Sequence, residues 1–148
     1  MMQTNYVSAA SEVTGLDLFI TVPEDLLNLG VGRSLDAKRV TTLLSLKKED
    51  VSKIATVAQS SVRYDESMPV AVRERIEEIA SVMNMVAQTF RGDEDKTVAW
   101  FKARNPLLGD ISPRDMIRLG RYERLRRFII NALIARRGAS AQIELASA

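Results

Sequence analysis

An apolar stripe between residues 69 and 90 sets the terms on which this chain folds. Val72, Ile76, Ile79, Met83, Val86 and Phe90 recur at spacings of 4, 3, 4, 3 and 4. That alternation marks one face of an α-helix. Pro69 stands at its start and Gly92 at its end, as helix boundaries require. The stripe therefore predicts a long amphipathic helix from Pro69 to Phe90, with Arg73 and Glu77 one turn apart on the wet side. It is too short to demand a coiled coil, so its partners are the neighbouring helices.

Those neighbours also read as helices, which makes the chain all-α. Pro23 to Leu29 begins with Pro and two acids and stops at Gly30, predicting a short helix. Leu18 to Val22 before it reads as extended, and the first 15 residues as frayed. Ser34 or Asp36 caps a helix running to about Leu44, with Val40, Leu43 and Leu44 on one side. A helix from Lys47–Glu49 turns Val51, Ile54 and Ala55 inward, and a third runs from about Gln59 to Asp65, anchored by Val62. Asp95 to Ala103 forms a short helix carrying Trp100 and Phe101. Asn105-Pro106 breaks it. Ser112-Pro113-Arg114-Asp115 starts the next helix, which ends at Gly120. The closing helix, Arg121 to Arg137, is apolar over most of its circumference and so asks for burial on several sides.

What the chain lacks narrows its chemistry. It has no Cys and no His among 148 residues. Disulfides, thiolate nucleophiles, histidine triads and Cys/His zinc sites are therefore out of reach. Asp93-Glu94-Asp95 does not converge on one cation, Gly30-Val31-Gly32 lacks the rest of a dinucleotide fingerprint, and no catalytic constellation is found. The expectation is a non-enzymatic binding protein without cofactor or metal. With no leader and no membrane-length apolar run, it is expected in the cytoplasm.

The net charge of +2 conceals blocks. Residues 1–32 carry four acids and no base, and residues 33–65 seven bases and four acids. Residues 66–99 carry four bases and seven acids, and residues 100–148 ten bases and four acids. Fields act locally, over about 8–10 Å at physiological salt, so the two basic blocks matter more than the total.

The first basic block contains the spacing of a helix-turn-helix, from Glu49 to Arg63. Ser52 is the small residue where the second helix crosses the first, and Val62 is the apolar anchor. Gln59, Ser60 and Arg63 are residues of the kind that read base edges in a major groove. Lys48 and Lys53 are placed for phosphates, with Lys38, Arg39 and Lys47 nearby. Thr56 stands where such turns usually have Gly, and a β-branched residue is unfavourable there. The turn is altered, or the module keeps its fold without DNA, or the helix pair is purely structural.

The second basic block contains Trp100-Phe101, Asn105-Pro106, Leu108-Gly109, Pro113, Gly120 and the apolar run from Leu125 to Leu133. This order resembles the toxin-binding domain of the Xre/MbcA/ParS antitoxin family. The preceding order, a helix-turn-helix and then a long helix, matches as well. The resemblance covers roughly residues 30–137. It implies an Xre-like helix-turn-helix domain at 30–68 behind an N-terminal extension at 1–29. The linking helix and a small helical toxin-binding domain then occupy 69–137, followed by a C-terminal tail at 138–148. It further implies the antitoxin of a type II toxin–antitoxin pair, a cognate toxin of the NAD-degrading RES type, dimerisation and higher assembly with the toxin, and autoregulation through operator DNA. A stand-alone helix-turn-helix repressor with no toxin is the alternative.

Read as residues, Trp100 and Phe101 are core anchors, with Pro106, Gly109 and Gly120 as turn-makers. Arg121, Arg124, Arg126 and Arg127 crowd the start of the last helix against its dipole. They are either a solvated, locally paired surface or a grip on toxin or DNA. The tail is either disordered or, as in several relatives, enters the toxin's cleft, where Gln142, Ile143, Glu144 and Leu145 would be the contacts.

Overall fold

The computed structural model describes residues 23–147, with side chains described from 23 to 138. Six α-helices and two 3-10 turns make up its regular structure. In chain order these are α1 (Ala37–Leu43), α2 (Lys48–Ala55), the turn η1 (Gln59–Ser61), α3 (Val70–Thr89), α4 (Glu94–Lys102), the turn η2 (Pro106–Leu108), α5 (Pro113–Arg118) and α6 (Tyr122–Ser147). No strand occurs among the described residues, so the fold class is all-α.

The apolar stripe organises everything else. α3 starts after Pro69 and ends at Thr89, within a residue of the predicted bounds. Val72, Ile76, Ile79, Met83 and Val86 are buried. α1, α2, α4 and α6 all pack on α3. So many neighbours also bury Ala80, Val82, Asn84, Met85 and Ala87, and α3 is enclosed on all sides from Val82 to Ala87. Phe101, Leu125 and Ile130 close the core from α4 and α6.

Caps set the starts of the shorter helices. The Asp36 carboxylate accepts from Arg39 N, that of Asp93 from Lys96 N, and Ser112 Oγ from Asp115 N. Each satisfies an amide that has no helical partner.

Three local expectations are corrected. Pro23 to Leu29 is a turn, not a helix. Asn28 has φ +56°, and the Asp25 carboxylate takes the amides of Leu29 and Gly30, both at 2.8 Å. The side chain thus offers the backbone an alternative to helical bonding. Gln59 to Asp65 is a helix only as far as one 3-10 turn. Val62 turns extended (φ −77°, ψ 112°), and beyond it Asp65 is occupied by Arg63 and Ser67 N. Finally, α6 does not stop at Arg137. It continues through Gly138 to Ser147, because one interior Gly costs only about 1 kcal/mol against Ala and no Pro follows it.

Candidate functional site

The stretch 99–137 folds as a unit in which each marked residue answers a geometric demand. Trp100 and Phe101 contact edge to face, with centroids 5.1 Å apart at 81°. The pair does not share one fate, however. Phe101 is buried in the core, whereas Trp100 packs against that core and is only partly covered. The loop after α4 is closed by an isolated bridge between Asn105 and Ile111. Asn105 N donates to Ile111 O at 3.1 Å, and Asn105 Oδ1 accepts from Leu107 N at 3.0 Å. Pro106 starts η2 and Gly109 (φ +85°) ends it. Leu108 is thereby driven into the core and Leu107 outward, leaving it 77% exposed. Pro113 is buried at the start of α5, and Gly120 (φ +77°) lets the chain turn into α6.

A groove opens where this loop meets the long helices. Its volume is about 300 Å³. Val86 of α3, Phe90 just after it, Trp100 of α4, Leu107, and Phe128 and Leu133 of α6 form its apolar lining, and Arg136 stands at its rim. None of Leu107, Phe128, Leu133 or Arg136 was singled out from sequence as a site residue. The available signal was on α6, where Arg124, Phe128, Ala132 and Arg136 follow one another at intervals of four, one row along a helix face.

The expected toxin-binding arginines are on the surface. Arg121 and Arg124 are exposed. Arg121 N donates to Met116 O at 2.8 Å, fixing the α5–α6 corner. Arg126 lies 3.7 Å from Glu123, so the crowding of cations is relieved partly within the helix. Gln142, Ile143, Glu144 and Leu145 fall in the last turns of α6, and their side chains lie outside the described residues.

The expected DNA-binding residues are spread from the first residue of α2, Lys48, through its last turn, Lys53, to η1 and the stretch after it, and are not set on a recognition helix. Lys48, Lys53, Gln59 and Ser60 are exposed. Arg63 is exposed too, with its guanidinium on the Asp65 carboxylate at 2.6 and 2.9 Å. The turn is not altered by Thr56, which takes the left-handed conformation (φ 56°, ψ 51°). Ser52 holds that turn with both its groups. Its Oγ donates to Val57 O at 2.6 Å, and its carbonyl accepts from Val57 N at 3.1 Å.

Two polar clusters missed in the sequence bind the parts together. Asn84, fully buried on α3, accepts from Leu27 N at 3.0 Å and donates to Asp25 Oδ1 at 3.1 Å. Arg118 of α5 reaches Asp50 of α2 at 3.1 Å. Arg114 Nη2 donates to Ser45 O at 2.7 Å, next to its bond to Leu44 O. Burial raises the Asp50 carboxyl, but the Lys47 amide and the Arg118 guanidinium outweigh it, and its pKa ends below the ordinary aspartate value.

No protein-family model matches the chain, and no curated protein matches it. Among solved structures it is similar to a chain of the M. tuberculosis MbcT–MbcA toxin–antitoxin complex, at 27% identity and a TM-score of 0.43. The match covers 63% of this chain and 86% of that one.

Proposed function

We propose that this chain is the antitoxin of a type II toxin–antitoxin pair, a non-enzymatic protein that binds its cognate toxin and blocks the toxin's active site. The observation that carries this reading is the 99–137 unit. The residues that resemble the antitoxin family's toxin-binding pattern are ones to which the fold gives specific work: Phe101 in the core, Asn105 and Gly109 at a closed loop, Pro113 at the start of α5, and Gly120 at the corner. Beside them α6 offers Arg121 and Arg124 to an acidic surface. Gln142, Ile143, Glu144 and Leu145 would fill the toxin's cleft, and the resemblance names an NAD-degrading RES-type enzyme as that toxin. Excess antitoxin then holds the toxin inactive by mass action.

Operator binding is the second half of the proposal. Lys48, Lys53, Gln59 and Ser60 supply exposed polar and basic groups, but a single 3-10 turn does not fill a major groove as a recognition helix does. Any operator contact therefore leans on phosphates, loses affinity steeply with salt, and draws on dimerisation to double its footprint.

Co-expression with the product of the adjacent reading frame tests the main claim. The expected result is a co-purified complex and restored growth, with neutralisation weakened when the chain is cut after Gly138. A free monomer that neither binds nor rescues overturns it.

A further inference from the structure

We infer that the groove between α3, α4, the 105–107 loop and α6 receives an amphipathic helix of the partner protein, one with carboxylates at both ends of its apolar row. This deepens the antitoxin reading and rests on it.

The groove is open to the surface and mostly apolar. Val86, Phe90, Trp100, Leu107, Phe128 and Leu133 give it apolar walls. A small-molecule site needs a few convergent polar groups. Here the carbonyl oxygen of the Asn105 side chain is already committed to Leu107 N. No strand edge exists among the described residues, so β-addition has no template. A helix laid along α6 matches the geometry, since its side chains project in rows of the same spacing.

Charge names the chemistry of the occupant. Arg136 stands at the groove's rim, and Arg124 lies outside its lining, one turn before Phe128 on the same ridge of α6; along the helix the two are twelve residues, or about 18 Å, apart. Both are exposed, and neither has an acidic partner among the described residues. A second copy of this chain is a poor occupant. Two-fold pairing of the α6 rows would bring Arg124 of one copy against Arg136 of the other. The residues after Arg137 do not fold back into the groove, because they continue α6 to Ser147.

Trp100 is the chain's single tryptophan, so its fluorescence reports the groove directly. The experiment titrates the full-length chain with the co-expressed product of the adjacent reading frame. Leu107→Glu and the double variant Arg124→Glu/Arg136→Glu are compared with Leu119→Glu, an exposed apolar site outside the groove. Circular dichroism checks that each is folded. The proposal expects a blue shift of Trp100 emission on binding. It also expects at least tenfold weaker binding for Leu107→Glu and for the double reversal, with Leu119→Glu unchanged. A complex that forms without the shift, and with Leu107→Glu at wild-type affinity, overturns the groove and leaves the antitoxin reading standing. A shift that follows this chain's own concentration and disappears in Leu107→Glu makes a second copy the occupant and overturns the proposal. Absence of any complex overturns the antitoxin reading, and the proposal with it.

Discussion

Arg118 Nε lies 3.1 Å from Asp50 Oδ1 and so ties α5, inside the 99–137 unit, to the first turn of α2. Asp50 is buried, and its other oxygen accepts from Lys47 N at 2.9 Å. One carboxylate thus caps a helix and anchors an arginine from the other half of the chain. Replacing it by Ala leaves the Lys47 amide unbonded and the Arg118 guanidinium with Asp115 alone. Asp50→Ala is expected to cost about 2–3 kcal/mol at pH 7. Arg118→Ala, at an exposed group, is expected to cost about 1 kcal/mol or less. Because folding lowers the Asp50 pKa, its contribution is present above the ordinary aspartate range and lost as pH falls through the folded value. Urea denaturation at pH 7 and pH 3 checks this, since the penalty of Asp50→Ala is expected to shrink at the lower pH.

Asn84 carries the attachment of residues 23–30. It is fully buried, and it bonds both the Leu27 amide and the Asp25 carboxylate. Asn84→Leu removes both bonds and places a larger apolar group against a carboxylate. The expected loss is about 2–4 kcal/mol. It is expected to fall locally, with faster hydrogen exchange at Leu27 and Leu29 than at Ile76 or Met83. Uniform acceleration across α3 would show that this attachment is not a separate layer of stability.

Two glycines separate shape from strain. Gly30 and Gly109 share a positive φ, +80° and +85°. A Cβ on Gly30 would sit 2.0 Å from the carbonyl oxygen of Ser34, whereas one on Gly109 meets nothing within 4 Å. Gly109→Ala is therefore expected to cost about 1–2 kcal/mol, the left-handed penalty alone. Gly30→Ala must also move backbone, so its loss is expected to be clearly larger, seen as a lower thermal midpoint.

The sequence was most readable where periodicity and caps coincide. The α3 stripe, Asp36, Ser112-Pro113 and Gly120 all act locally, and each stands where its pattern placed it. Readability failed where a side chain competes with the backbone. Asp25 converted a predicted helix into a turn by taking two amides, and Asp65 lies in the stretch where the predicted recognition helix ends after one turn. It failed again where residues distant in sequence meet. Arg118 and Asp50 are 68 residues apart, and the groove draws its walls from α3, α4, the 105–107 loop and α6. Spacing in one helix does reveal its basic rim. That Leu107 and Trp100 face the same row follows only from the Asn105–Ile111 closure and the packing of α4.

Thr56 offers the most direct test of strain in the N-terminal half. Its left-handed backbone (φ 56°, ψ 51°) is costly for a β-branched residue. Its side chain is exposed, so little packing is at stake. The turn is held by Ser52 and Val57, neither of which needs the threonine hydroxyl. Thr56→Gly removes the Cβ clash but adds freedom to the unfolded chain, two effects of opposite sign. The first dominates at a left-handed position, so Thr56→Gly is expected to stabilise by about 1 kcal/mol. Thr56→Ala keeps a Cβ and is expected to change stability by less than about 0.5 kcal/mol. Both are read as shifts in the urea midpoint at constant slope. Destabilisation by Gly with no change in slope would mean that Thr56 is held there without strain. The Ser52 staple would then be the true determinant of the turn, and Ser52→Ala would have to show the larger loss.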